Sequence, residues 1–194
     1  MSSEIKPAQP EGTVILRKVR LSFPDLFVAK QYQGAGPFNY RATFLVDPGS
    51  DNDKAIRDLI RKVANAKWGA KAATILPTIE GQSQKYCYVP GDTKSYDGYA
   101  GKMALSASRP QDSGHPVVRD RDMRDIAPEE GRPYGGCFVN CLVQLWAQDN
   151  SFGKGIRATI IWVQFVSDGE SFGGAPQATD GGMEAVEDAA ADYV

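Results

Sequence analysis

The stretch CFVNCLVQLWAQDN, residues 137–150, followed by SFGK and then GIRATIIWVQFV, residues 155–166, is the most strongly β-like part of the chain. Two runs rich in β-branched and aromatic residues are separated by a connection that leaves room only for a hairpin. Cys137 and Cys141 lie four apart inside the first, alternating apolar run and read as small core residues. A zinc site would need closer ligand pairs and more of them, and His115 is the sole histidine of the chain.

Working upstream, TVILRKVRLSFPDLF, residues 13–27, alternates so that Val19, Leu21 and Phe23 point one way and Lys18, Arg20 and Ser22 the other. After a turn-rich GAGP, residues 38–48 predict a second strand with Tyr40, Ala42, Phe44 and Val46 on one face and Arg41 and Thr43 opposite. The period then changes. Ile56, Leu59, Ile60, Val63 and Ala64 fall at helical spacing, with Ser50 as N-cap, Asp51 and Asp53 at the positive end and Gly69 as the stop. Lys54, Arg57 and Arg61 form its outer face, solvated or in contact with phosphates. QKYCYVP (84–90) and GKMALSAS (101–108) add two strands around the loop GDTKSYDGYA, and residues 109–133 read as an irregular segment dense in charge and proline. Six strands and one good helix, with links mostly too short for crossover helices, make the fold mainly β. The expected architecture is an OB-fold-like antiparallel β-barrel with one inserted α-helix. The expected organisation is a flexible N-terminus over 1–12, the barrel domain over 13–170 and a disordered acidic tail over 171–194.

The net charge of -2 conceals an asymmetry: residues 1–157 hold 22 Lys+Arg against 17 Asp+Glu, whereas residues 158–194 hold seven acids and no base. A basic body and an acidic end suit a polyanion-binding surface with an internal competitor. Neither a signal peptide nor an apolar run of about 18 residues is present, so a reducing, cytoplasmic setting is expected.

Catalytic machinery is sparse. There is no glycine-rich loop with Lys-Ser/Thr opening a helix, and His115 sits in SGHPVV without a neighbouring nucleophile motif. RDRDMRD, residues 119–125, offers Asp120, Asp122 and Asp125 to a divalent metal, as a nuclease would, but Arg119, Arg121 and Arg124 stand beside them. The chain reads as non-enzymatic, with no cofactor and no metal.

Grip on a single strand needs cations for phosphates and flat rings for bases. Residues 85–102 supply Lys85, Tyr86, Tyr88, Lys94, Tyr96, Tyr99 and Lys102, and Phe38, Tyr40 and Arg41 repeat the theme. Lys154 and Arg157 on the final hairpin complete the candidate set. Tyr96 and Tyr99, in a polar Gly/Asp loop, are the tyrosines expected to be exposed. Trp68, Trp146 and Trp162 are expected to be structural, Trp68 closing the helix's apolar face.

The combination of YGG, WAQDN, GKGI and QFV within residues 134–174, together with KSYDGYAGKMALSAS (94–108), resembles the tailed-phage single-stranded-DNA-binding proteins long catalogued as a domain of unknown function. The resemblance covers most of residues 13–174. It implies an OB-fold protein that coats single-stranded DNA in replication or recombination in the cytoplasm of the infected host, with strand annealing as an alternative or added activity. Absence of a zinc motif separates the chain from the zinc-containing phage class. In the tail, Asp180, Glu184, Glu187, Asp188, Asp192 and Tyr193 are expected to lie over the groove when DNA is absent and, once displaced, to meet phage polymerase, helicase or primase. No membrane partner is expected, and homodimer formation is left open.

Overall fold

The computed structural model describes residues 10–173. In chain order the elements are β1 (Thr13–Tyr32), β2 (Ala35–Val46), α1 (Asp51–Trp68), α2 (Ala72–Ile79), β3 (Tyr88–Pro90), β4 (Met103–Pro110), β5 (Val117–Arg119), β6 (Phe138–Asn150) and β7 (Gly153–Ser167). The sheet order is β3-β4-β2-β1-β6-β7-β5, and a parallel bridge between Ser108 of β4 and Thr159 of β7 joins two of its members again. That bridge closes a ring of β1, β2, β4, β7 and β6. A five-stranded barrel with β3 and β5 attached at its flanks results, in the OB-fold pattern.

The final hairpin is the longest ladder, running from Phe138↔Ser167 to Asn150↔Gly153 and leaving only Ser151 and Phe152 at its tip. β1 is long because it serves two neighbours. Thr13–Arg20 pairs with β6, while Arg20–Tyr32 pairs with β2. Beyond the barrel the β1–β2 hairpin continues as an arm, closed at Gln33-Gly34, both at positive φ (50° and 74°), the geometry of a two-residue hairpin turn.

Strict alternation fails along β1 for a local reason. Register shifts follow Leu16 and Ser22, and Lys18 and Phe23 take positive φ values of 50° and 47°. Such bulges reverse which face a side chain occupies. Val19 and Leu21 are buried as expected, but Ser22 is 3% exposed and Phe23 54% exposed, the opposite of the alternating reading.

The core joins Leu16 and Leu21 of β1, Phe44 of β2, Leu105 of β4, Val139, Cys141 and Val143 of β6, and Ile156 and Ile160 of β7. α1 covers it from the β1 and β6 side with Ile56, Ile60, Ala64 and Trp68. Ser50 accepts the Asp53 N–H as predicted, and Gly69, at φ 57°, ends the helix. α1 is docked by a buried polar knot. The Asp53 carboxylate accepts from Tyr88 Oη–H (2.6 Å), Arg57 Nε–H (2.9 Å) and Gly49 N–H (2.8 Å). Burial pushes its pKa up, but the hydrogen bonds outweigh burial and hold the carboxyl below its ordinary value.

Three elements differ from expectation. α2 is an additional short helix with Pro77 inside it. Of QKYCYVP only Tyr88–Pro90 forms a strand. The segment 109–133 contributes β5 and is fastened by Arg119–Asp125 (2.9 Å), Arg124–Asp120 (2.9 Å) and Arg124–Glu130 (2.9 Å) pairs. At the chain start, Leu145 N–H donates to the Gly12 carbonyl (2.9 Å) and Gln144 to that of Glu11 (2.9 Å), so Glu11 and Gly12 are bonded to β6. Residues 1–9 of the expected 1–12 lead-in and residues 174–194 of the expected 171–194 tail lie outside the described residues. No helix among the described residues is long and apolar enough to cross a membrane.

Candidate nucleic-acid interface

An open groove of about 1050 Å³ runs across the barrel face formed by β2, β4 and the start of β7. The β1–β2 arm makes one wall and the β6–β7 hairpin the other; in OB-folds this face and these two hairpins are where oligonucleotides bind. The pairs Thr43↔Ser106 and Ser108↔Thr159 pave its floor with hydroxyls, flanked by Ala42, Ala107 and Ala158.

Rings rise from the walls. Phe23, Tyr32, Tyr96 and Trp146 all line the groove and are 54%, 62%, 51% and 42% exposed. Phe23 and Tyr96 support one another edge to face, their centroids 4.9 Å apart. Trp146 stands on the far wall, its indole N–H donating to Thr159 Oγ1 (3.2 Å), directly across the ladder from Arg157. Isolated large apolar side chains on a surface are ordinary, but four rings gathered in one groove mark a candidate site.

Cations accompany them. Arg41 extends along Tyr32, its guanidinium 5.1 Å from the ring centroid, and Arg157 is oriented by donating from Nε to Gln148 Oε1 (2.9 Å). Lys94 lines the same groove. The ion pairs found among the described residues leave Arg41, Lys94 and Arg157 out, while the one groove carboxylate, Asp25, is paired with Lys30.

Of the candidates named from sequence, Arg41, Lys94, Tyr96 and Arg157 meet at this groove. Tyr99 does too, but from beneath, and its expected exposure is corrected: it is 2% exposed, its hydroxyl donates to Ser22 Oγ (3.2 Å), and burial raises its pKa. Tyr40, Tyr86 and Tyr88 are likewise core residues, at 9%, 7% and 2% exposure, so their rings are not offered to a base. Burial pushes the Tyr86 phenol up to about 12. Phe38 is half-exposed but does not line the groove. Lys85 also lies off the groove. Lys102 pairs with Asp47, and Lys154 with Asp149 (2.6 Å), so both are neutralised locally. The tail residues Asp180 to Tyr193 lie outside the described residues.

Sequence reasoning missed Phe23, Tyr32 and Trp146. Phe23 is hidden by the bulge, and Trp146 sits in an apolar run that suggests burial. The partial signal for Trp146 is its neighbours: Gln144 and Gln148 share its side of β6. Phe152, 87% exposed at the hairpin tip, had no signal beyond its place in a turn.

The aspartate cluster is structural. Asp120 Oδ1 accepts the backbone N–H groups of Asp122 and Arg124 (both 2.9 Å), Oδ2 accepts Arg124 Nε–H, and no group of three metal-ligating side chains occurs among the described residues. The nuclease alternative is set aside on that geometry. Cys87, Cys137 and Cys141 are buried free thiols, and desolvation pushes Cys87 up to about 12.

A closed five-strand barrel carrying an aromatic, cationic groove between two hairpins defines an oligonucleotide-binding-fold protein. The family model described as the ssDNA-binding protein of Enterobacter phage Enc34 matches residues 12–194, and the chain belongs to that family, one of DNA-binding proteins and not of enzymes. Protein p50 of Acyrthosiphon pisum secondary endosymbiont phage 1 is 42% identical over 176 residues, covering 89% of this chain and 90% of that protein. Among solved structures, the single-stranded DNA-binding protein from bacteriophage Enc34 in complex with ssDNA matches with a TM-score of 0.71 at 24% identity, covering 89% of this chain and 100% of the other. The single-stranded DNA binding protein encoded by bacteriophage T7 matches with a TM-score of 0.52 at 15% identity, covering 90% and 100%. These two structures share the fold.

Proposed function

We propose that this protein coats single-stranded DNA, largely without regard to sequence, by laying the strand in the groove between the β1–β2 arm and the β6–β7 hairpin. The observation that carries this is the set of four exposed rings, Phe23, Tyr32, Tyr96 and Trp146, interleaved with three cations that form no ion pair among the described residues, above a floor of small hydroxyl residues. Bases stack on the rings and phosphates meet Arg41, Lys94 and Arg157, while a duplex, whose bases are already stacked and paired, offers the rings no free face. The family membership and the similarity to a phage protein solved with ssDNA support the same ligand.

The setting is the cytoplasm of the infected host, in phage replication or recombination. The acidic end competes for the groove. Asp180, Glu184, Glu187, Asp188 and Asp192 bring five negative charges and no positive one. The described chain stops at Gly173, whose N–H bonds to Asp97, the residue after Tyr96. The 21 residues that follow have a contour length of up to ~70 Å, ample to reach the groove. When DNA displaces it, this end, with Tyr193 near its terminus, becomes available to polymerase, helicase or primase. Self-association into a homodimer is a separate question that gel filtration with light scattering answers.

Titration of full-length protein with fluorescent oligo-dT and with duplex of equal length, at two salt concentrations, tests the proposal. Preference for the single strand is expected; equal or tighter duplex binding at both salts contradicts it.

A further inference from the structure

After β7 the chain doubles back and is fastened more tightly than barrel closure requires. Arg20 donates from Nη2 to the Glu170 carbonyl (2.8 Å) and from Nε to the Gly136 carbonyl (3.1 Å), and its guanidinium lies 4.3 Å from the centroid of the Phe172 ring. The Phe172 N–H donates to the Gly135 carbonyl (2.9 Å), and the ring packs on the small cluster of Leu45, Tyr99 and Ala104. Its other contact is with the loop that carries Tyr96. Gly98 has φ 77°, and a Cβ there would stand 2.3 Å from Phe172 Cζ, so the loop closes over the ring only because residue 98 is glycine. One residue on, Gly173 N–H donates to Asp97 Oδ2 (2.9 Å).

This plug is linked to the groove by ring packing and by hydrogen bonds. Phe172 touches Tyr99. Tyr99 lies 5.3 Å from Tyr96 and 6.4 Å from Phe23, centroid to centroid, and its hydroxyl holds Ser22 beside Phe23. Residues 95–99 belong to no helix or strand. What orders them is attachment to neighbours, and Phe172 packs against both Tyr99 and Gly98. Phe172 itself does not line the groove.

Resting on the single-strand reading above, we infer that Phe172 is a positioning residue for DNA binding: by plugging the back of the 95–99 loop it sets Tyr96, and through it Phe23, in the stance that receives a base. Without the plug the loop must be ordered by the DNA, and that ordering is deducted from affinity.

The test compares oligo-dT affinities of full-length Phe172→Ala, Phe172→Leu, Gly98→Ala, Tyr96→Ala and the Phe172→Ala/Tyr96→Ala double variant at one salt concentration. Phe172→Ala should weaken binding on the order of tenfold, Gly98→Ala should do the same by expelling the ring, and Phe172→Leu should restore most of the loss. The double variant should bind no more weakly than Tyr96→Ala alone, because the plug acts through that ring. Full additivity, or unchanged affinity in Phe172→Ala, overturns the inference. If Phe172→Ala does not fold, Asp97→Ala severs the Gly173 tether at an exposed position and should show a smaller loss with the same non-additivity; no loss overturns it. Unchanged affinity in Tyr96→Ala would instead overturn the stacking loop on which the inference rests.

Discussion

Replacing Trp146 by alanine separates a binding role from a structural one. The ring is 42% exposed, lies outside the core cluster and hydrogen-bonds to Thr159 at the groove, so its removal should leave the unfolding free energy from urea melts within roughly 1 kcal/mol of wild type. If a base stacks on it, the loss should be about 1 to 3 kcal/mol, a five- to 150-fold rise in Kd for oligo-dT. Trp68→Ala is the mirror image: that indole is 7% exposed and donates to Asp149 Oδ2 (3.1 Å), so the change should cost about 3 to 5 kcal/mol of stability while the folded fraction binds DNA normally. Tryptophan fluorescence gives a second readout. Quenching by oligo-dT should largely vanish in Trp146→Ala and persist in a Trp162→Phe variant. A Trp146→Ala protein that melts normally, binds oligo-dT with unchanged Kd and keeps its full quenching would refute the groove.

Lys94→Ala should reduce the slope of log K against log salt by about 0.7 in magnitude, one phosphate contact on a single strand, whereas Lys154→Ala, already paired with Asp149, should leave the slope unchanged. Deleting residues 175–194 should tighten oligo-dT binding and narrow its margin over duplex; identical titration curves would remove the tail from competition. Tyr88→Phe should destabilise the fold by about 1 to 3 kcal/mol in urea melts without altering oligo-dT affinity, since it strips one donor from buried Asp53. Because Asp53 titrates below its ordinary value of 3.8 in the fold, its contribution is complete above that pH and fades as pH falls towards the lower, folded value. Asp53→Asn should therefore flatten the loss of stability in that acid window, as read by circular dichroism.

The barrel was legible where side chains alternate without interruption. Residues 137–166 specify their hairpin through two β-rich runs and a short turn, and Ser50 through Gly69 carry every signal of α1. The barrel's closure was less visible, because one bridge between Ser108 and Thr159, distant in sequence, supplies it. α2 was masked by Pro77, and β5 by the charged segment around it. At the site, composition pointed to the right loop but chose among its tyrosines imperfectly. Tyr96 and Tyr99 differ by three residues, yet one turns to the groove and the other into a pocket shared with Leu45 and Ala104, a distinction made by tertiary packing. Phe23 was lost because a single positive φ exchanges its face with that of Ser22.

The most direct test of the groove is photo-crosslinking of the full-length protein to oligodeoxynucleotides carrying 5-iodouracil, with adducts located by mass spectrometry. Adducts concentrated on Phe23, Tyr32, Tyr96 and Trp146 are predicted. Efficient crosslinking confined to other surfaces, such as the Lys54–Arg61 face of α1, would contradict the account.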